Sequence, residues 1–281
     1  MCNNNCKWLF KWIGAAYEYG NGCVLSPEKA FQYNLMGAEV GNTYCQFNVA
    51  IAYSSGHGVK RSGRRSLKWY KVAAANGHAS AQYNVGNLLY QVSGDHYDDV
   101  KKDIPKTIKY WKMAAEQNHP WAQAKLGLLI DEGFSTIKFP DSLEIALDLY
   151  KRSAENGNQR GQFQYGFCLI SGINGPINYA KGIYLIQAAA KQGDDHAIGC
   201  LANIRADMKL IEPSMNTKKD IAAFMQKWNG VQGKHGLFKH CRPADIRNGY
   251  GPKHISDDYE NFIKNSTCLK KKDKAMLLKF L

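Results

Sequence analysis

Histidine and cysteine are the residues of this sequence that could perform metal or nucleophilic chemistry, and the chain has eight of each. Zinc sites in proteins use His and Cys ligands, most often in closely spaced pairs. The candidate ligands in the C-terminal part are His235, His240, Cys241, His254 and Cys268. They contain no C-x₂-C or H-x₃-H pair, so the spacing does not favour zinc, and we expect neither a metal nor a cofactor.

Catalytic motifs are also missing from the sequence. It has no G-x-S-x-G segment that would present a nucleophilic serine, and no phosphate-binding P-loop. His78 and His119 each follow a predicted helix-ending turn, which indicates polar turn residues, and His57 lies between two loop glycines. We therefore expect that the protein is not an enzyme.

The composition indicates a folded, basic protein. Its 281 residues suffice for one large domain or two ordinary ones, and an apolar content of 44% can fill a sizeable core. The net charge of +13 is concentrated in residues 205–281, which hold 16 basic and 8 acidic residues. We find no clear signal peptide, no long apolar run and no disulfide pattern among the cysteines. We expect a cytoplasmic location, with a translocated effector as the alternative.

One segment recurs five times along the chain. Its copies are FQYNLMGAEVGN at 31–42, WYKVAAANGH at 69–78, YWKMAAEQNH at 110–119, LYKRSAENGN at 149–158 and YLIQAAAKQGD at 184–194. The residues at the predicted turn are Gly41, Gly77, Asn118, Gly157 and Gly193. A helix that ends in a left-handed residue requires Gly, or Asn as second choice, because a Cβ is disfavoured there. The column therefore predicts five helices that end in the same kind of turn.

A second segment follows each turn. Its copies are CQFNVAIAYSSGHG at 45–58, AQYNVGNLLYQ at 81–91, AQAKLGLLIDEG at 122–133, GQFQYGFCLISG at 161–172 and AIGCLANI at 197–204, and KWIGAAYEYGNG at 11–22 matches the first of them. Apolar and small residues keep fixed columns in these copies, which is typical of a packed helix face. A unit of helix, loop, helix and turn that repeats every 36 to 41 residues predicts an all-α solenoid.

The two segments together closely resemble Sel1-like repeats, an α/α family related to tetratricopeptide repeats, over residues 7–204. The resemblance implies a right-handed α/α superhelical solenoid with about five repeats and the first helix of a sixth. We expect residues 205–281 to be a basic C-terminal region that ends the sixth repeat and adds a helical cap. The sequence departs from the family at Asn118, which replaces the turn glycine, and after Tyr90, where about five residues are inserted.

In solenoids of this kind the first helices line a concave groove that holds polypeptide segments. Groove positions should vary in chemistry between repeats, and the columns that do so supply our candidate residues. These are Trp12, Asn48, Asn84, Asn87, Lys125 and Gln164. Asn and Gln can donate to and accept from a peptide backbone, and Lys favours an acidic group. We therefore predict a non-catalytic adaptor whose ligand is a protein or peptide.

Two other functions stay open at this point. Residues 205–281, which include KKKDK at 270–274, would attract nucleic acid or an anionic membrane surface. No base-stacking motif accompanies these residues, so the sequence does not favour nucleic acid. Cysteine-rich relatives within the resembled family are associated with β-lactamase activity, which would imply a secreted, disulfide-bonded hydrolase. Here Cys45, Cys168 and Cys200 fall in three different repeat columns, so the resemblance does not extend to that activity.

Overall fold

A computed structural model describes residues 4–90, 100–131, 142–173 and 175–211. Within these ranges all regular secondary structure is α-helical, and eleven helices follow one another. They are α1 (Asn4–Tyr19), α2 (Pro27–Glu39), α3 (Thr43–Ser55), α4 (Gly63–Ala75), α5 (Ala79–Tyr90), α6 (Ile104–Glu116), α7 (Pro120–Asp131), α8 (Ser142–Glu155), α9 (Gln159–Ser171), α10 (Tyr179–Lys191) and α11 (Asp195–Ile211). The predicted all-α class is confirmed.

The odd-numbered helices are the first helices of the predicted repeats and the even-numbered ones are the second; we call them A helices and B helices. The described residues form two compact units, one before and one after the boundary between Leu126 and Gly127. In the first unit each of the helices α1 to α5 packs against the helix that follows it, and in the second unit α8 to α10 do the same. The described part of each unit is therefore built from consecutive helical hairpins, as the repeat predicts.

The predicted turns have the left-handed backbone that their sequence requires. Gly77 has a φ of +82° and Asn118, in the same column, has a φ of +60°. The equivalent glycines at 41, 157 and 193 also have positive φ values. Asn tolerates this conformation better than other residues with a side chain, which explains why it is the substitute in one copy.

The residue after each turn caps the next A helix. The Oδ1 atom of Asn42 accepts from the N–H of Cys45 at 3.1 Å, and Nδ1 of His78 accepts from the N–H of Ala81 at 3.2 Å. The same bond is made by His119, Asn158 and Asp194. These side chains satisfy backbone donors that a helix start leaves without a partner. His78 and His119 are therefore turn residues, as predicted, and they also act as helix caps.

Small residues on the A helices make room for large side chains on the B helices. In the first unit a Cβ on Gly86 would overlap the indole ring of Trp111, which is fully buried and donates from Nε1 to the carbonyl of Tyr83 at 3.2 Å. In the second unit a Cβ on Gly127 would lie 2.7 Å from the ring of Tyr150. The glycine column thus lets two helices approach closely around one ring.

The rings of the B helices take part in the packing between helices. Tyr70 and Trp111 are buried, and Trp69 and Tyr110 are partly buried against the hydrophobic cluster that contains Tyr70. These four residues therefore belong to the core between the helices.

A row of side-chain amides, which we call the amide ladder, connects successive repeats. Gln82 on α5 donates from Nε2 to the carbonyl of Ala74 near the end of α4, at 3.2 Å. Its Oε1 accepts from Nε2 of Gln117, the residue that ends α6, at 2.8 Å. Equivalent donor bonds are made by Gln46 to Ala38 and by Gln123 to Ala115. Each buried glutamine therefore ties the end of one B helix to the helix that follows it.

Several predictions concern residues outside the described ranges. These are the insertion after Tyr90, the cap in the C-terminal region, KKKDK at 270–274 and the five candidate metal ligands between His235 and Cys268. The A helix of the sixth repeat is described, and it continues to Ile211, beyond the predicted end of the repeat pattern near residue 204.

Candidate functional site

Aromatic and polar side chains that are exposed or half-buried occupy one side of the A helices in the first unit. Residues four apart on a helix lie on the same side, so Trp8 belongs with Trp12, Tyr44 with Asn48, and Trp121 with Lys125. We call this surface the A-helix face and define it by Trp8, Trp12, Tyr44, Asn48, Asn84, Trp121 and Lys125. The rings at positions 8, 44 and 121 were not among the predicted site residues, although each lies one helical turn before a residue that was.

The predicted site residues differ in their access to solvent. Trp12 is 66% exposed, and Asn48 is also exposed. Asn84, Asn87 and Lys125 are half-buried. Gln164, on α9 of the second unit, is only 2% exposed, so it does not present its amide to solvent.

Hydrogen bonds hold two of the predicted asparagines in place. The Nδ2 atom of Asn48 donates to Oδ1 of the buried Asn34 on α2, at 3.3 Å. The side chain of Asn87 is hydrogen-bonded to the phenol of Tyr83, and burial raises the pKa of that phenol. These contacts fix the rotamers of both amides, which reduces the entropy lost on binding a ligand.

A lysine lies among the exposed rings at the start of the face. The Nζ atom of Lys11 is 4.2 Å from the ring centroid of Tyr44 and about 5.5 Å from those of Trp8 and Trp12. The rings of Trp8 and Tyr44 are 6.5 Å apart. Cation–π contacts of this kind orient both the charge and the rings. The first two A helices therefore present an ordered aromatic cluster to solvent.

Stacked rings continue from this cluster to the next A helices. Tyr44 meets the edge of His78 at 5.7 Å, and His78 stacks on Phe47 at 4.3 Å. One repeat later Tyr83 stacks on His119 at 4.8 Å. Burial lowers the pKa of both histidines, and the charge of His78 lowers the pKa of His119 further. Both imidazoles therefore stay neutral at pH 7, as their capping role requires.

Four cysteines whose side chains the structure describes, Cys23, Cys45, Cys168 and Cys200, form no disulfide bond. Burial raises the pKa of Cys45 to about 11 and that of Cys168 to about 12. A nucleophilic cysteine needs a lowered pKa and access to solvent. Neither of these two thiols has the properties of a catalytic nucleophile.

The described ranges contain neither a metal-binding cluster nor a membrane-spanning helix. No group of three or more His, Cys, Asp or Glu side chains is close enough there to hold a metal ion. None of the helices described between residues 4 and 211 has both the length and the apolar character that a bilayer crossing requires.

The repeats identify the family. A model of the Sel1 repeat matches residues 12–42, 43–78, 79–119, 122–158 and 159–194. The chain belongs to the Sel1 repeat family. Each of these matches contains one B helix and all or part of the A helix before it. Sel1 repeat proteins generally mediate protein–protein interactions, and the fold is typically a non-catalytic scaffold.

Two solved structures of Sel1 repeat proteins are similar to this Sel1 repeat chain. A Sel1 repeat protein from Oxalobacter formigenes is 26% identical with a TM-score of 0.65, and the match covers 79% of this chain and 88% of that one. A protective antigen of uropathogenic Escherichia coli, c5321, is 23% identical with a TM-score of 0.63. That match covers 98% of this chain but only 53% of the antigen, so the chain spans about half of it.

Proposed function

We propose that this protein is a non-catalytic adaptor that binds a polypeptide on the A-helix face of its first unit. The observation that carries the proposal is the exposure of four large rings on three A helices: Trp8, Trp12, Tyr44 and Trp121. Trp and Tyr are the residues that most often dominate binding energy at protein interfaces, because they bury a large area at low entropic cost. The family's general role in protein–protein interaction supports the same reading.

The chemistry of the face suits an extended peptide with apolar and acidic side chains. The rings would cover apolar side chains of the ligand, and the amides of Asn48 and Asn84 would bond to its backbone. Lys125 adds a positive charge at the far end of the face, where it would favour a carboxylate. Gln164 is excluded from the proposed surface because it is buried.

Absence of catalysis is part of the proposal. The two buried thiols have raised pKa values, and Nδ1 of His78 and His119 is occupied by helix capping. These groups are used for folding, which leaves them poorly suited to act as nucleophile or general base.

Affinity capture with matched variants tests the adaptor function. The site variant carries Trp12→Ala, Asn84→Ala and Lys125→Ala. The control variant carries Tyr184→Ala, Gln32→Ala and Lys191→Ala, which removes an exposed ring, amide and lysine from B helices. Proteins captured by the wild type would be identified by mass spectrometry, and the affinity of a purified partner would then be measured by calorimetry.

We expect the control variant to retain the partner and the site variant to lose it. Loss of an exposed ring and two polar contacts should weaken the affinity by at least about tenfold. Equal recovery of the partner by both variants would show that the A-helix face is not the binding surface. The alternative of a nucleic-acid or membrane binder acting through residues 205–281 stays a prediction. It expects strongly salt-dependent binding that disappears when these residues are deleted.

A further inference from the structure

The B helices of the second and third repeats carry a basic surface that the adaptor proposal does not use. Helix α4 contains four basic residues and no acidic one. Helix α6 contains three basic residues and a single acidic one, Glu116, at its last position. Solvated helix faces usually mix both signs of charge, so two neighbouring repeats with almost only positive charge are unusual.

The basic residues occupy equivalent positions in the two repeats. Superposing Tyr70 on its repeat equivalent Trp111 aligns five pairs, which are Lys60 with Lys101, Arg61 with Lys102, Arg65 with Lys106, Lys68 with Lys109 and Lys71 with Lys112. All ten side chains are exposed. We call these ten residues the basic face.

The repeat itself does not require this pattern. At the columns of Lys68 and Lys71, helix α2 has Gln32 and Leu35. Helix α8 has Asp148 at the first of these columns and Lys151 at the second. A basic residue at both columns is therefore a property of the second and third repeats and not of the fold.

The two rows of charge lie close together. The carboxylate of Asp103, which caps α6, is 2.6 Å from Nζ of Lys106. Hydrogen bonds from Lys106 lower the pKa of Asp103, and the charge of Lys71 on α4 lowers it further. Tyr110 on α6 also packs against the hydrophobic cluster that contains Tyr70 and Ala73 of α4, so the two helices are neighbours. The carboxylate of Asp103 is already engaged by Lys106, which leaves the surface strongly positive.

We propose that the basic face binds an acidic polypeptide segment, as a second docking surface of the adaptor. This inference rests on the proposed adaptor function, because it assigns the surface to a protein partner. Eight of the ten residues are lysines, which act as point charges and suit a flexible run of Asp and Glu with no fixed geometry. Pairs of exposed charges are individually weak, so the affinity would depend on several contacts at once.

The surface lacks the features that other polyanions would use. Membrane-surface helices insert exposed aromatic or large aliphatic side chains, but Val72 is the one exposed large hydrophobic residue on α4, and the described part of α6 shows none. Binders of single-stranded nucleic acid add exposed rings for base stacking. Here Trp69 and Tyr110, which neighbour the lysine columns, pack against the core.

Fluorescence anisotropy of a labelled decaglutamate peptide with the full-length protein tests this proposal. The face variant carries Lys68→Glu, Lys71→Glu, Lys109→Glu and Lys112→Glu. The control variant carries the same reversal at Lys29, Lys151, Lys181 and Lys191, which are also exposed. Both variants change the net charge equally. We expect the face variant to weaken peptide binding by at least about tenfold and the control by less than about threefold.

Parallel titrations distinguish the partner classes. A DNA duplex and phosphatidylserine vesicles would be titrated with the same proteins, and circular dichroism would verify the helical fold of each variant. If the reversed variant unfolds, the Lys→Gln version replaces it. Equal loss of peptide binding in both variants would overturn the proposal, because net charge alone would then explain it. The proposal would also be overturned if the protein bound the duplex or the vesicles through the basic face with a higher affinity than it binds the peptide.

The outcome is separable from that of the adaptor test. The face variant leaves Trp12, Asn84 and Lys125 intact, so it should still capture the partner of the A-helix face. Two independent surfaces would be established by two results together. The site variant alone would fail to capture the partner, and the face variant alone would fail to bind the peptide. Absence of any peptide binding by the wild type would refute the basic face while leaving the A-helix face untouched.

Discussion

Replacement of Gln82 by methionine tests whether the amide ladder stabilises the repeats. The side chain of Gln82 is 2% exposed and makes two hydrogen bonds, one to the carbonyl of Ala74 and one from the amide of Gln117. Methionine has nearly the same length and volume but can make neither bond. The change therefore isolates hydrogen bonding from packing.

The expected loss follows from what each partner retains. The carbonyl of Ala74 also accepts from the N–H of Gly77 at 3.0 Å, and Gln117 is exposed and can bond to water. Neither partner is left buried without a bond, so the loss is limited to the net value of two hydrogen bonds, about 1–3 kcal/mol. Burial of a thioether in place of an amide recovers part of this. We expect the free energy of unfolding to fall by about 1–2 kcal/mol.

Urea unfolding followed by circular dichroism would measure this change. Gln117→Ala removes the donor of one of the two bonds that Gln82 makes. The variant that combines Gln82→Met with Gln117→Ala should therefore show a coupling energy of about 0.5–1 kcal/mol. Gln82→Glu should cost more than methionine at pH 7, because it places a carboxylate oxygen against the carbonyl of Ala74. A methionine variant within about 0.3 kcal/mol of the wild type, with no coupling to Gln117, would refute a stabilising role for the ladder.

Two further predictions concern the turns and caps. Gly77→Ala should destabilise the protein by about 1 kcal/mol because the φ of Gly77 is +82°, whereas Gly199→Ala in helix α11 should stabilise it by about 0.5–1 kcal/mol. An added Cβ meets nothing within 4 Å at either site, so the two changes differ only in their backbone conformation. Equal effects of the two changes in urea unfolding would contradict the backbone argument. The free energy of unfolding should also decrease as the pH falls below 6.5, because His78 and His119 have lowered pKa values when folded and the unfolded chain then binds more protons. Replacing both by Asn, the residue that caps α3 and α9, should reduce this pH dependence, and an unchanged profile would show that other groups cause it.

The local structure of the repeats could be predicted from the sequence because it depends on neighbouring residues. The column of Gly77 and Asn118 marks left-handed turns, since backbone sterics act within a few residues. The glycine at position 86 and the ring at position 111 also have equivalents at a fixed spacing in other repeats. Once the helices are paired, the sequence therefore predicts that the glycine contacts the ring. The helical hairpins and the family could therefore be predicted from the sequence alone.

The surface residues were predicted less well because access to solvent is set by contacts between helices. Gln164 belongs to the same column as Asn48 and Lys125, yet it is buried in the second unit while they are not. The exposed rings of Trp8, Tyr44 and Trp121 were not predicted, because an aromatic residue on a packed helix is more often part of the core. Only the packing between helices shows which rings remain exposed to solvent.

The sequence by itself determined the repeat, its turns and its all-α class, because these features follow from steric and helical preferences repeated at a fixed interval. The tertiary structure decided which side chains serve folding and which are left for a partner. It assigned Gln82 to the amide ladder through a hydrogen bond from Gln117, 35 positions away. It left the rings of the A-helix face and the ten residues of the basic face in solvent. The physical reason is that burial and hydrogen bonding between repeats depend on residues about 30 or more positions apart, which no single segment encodes.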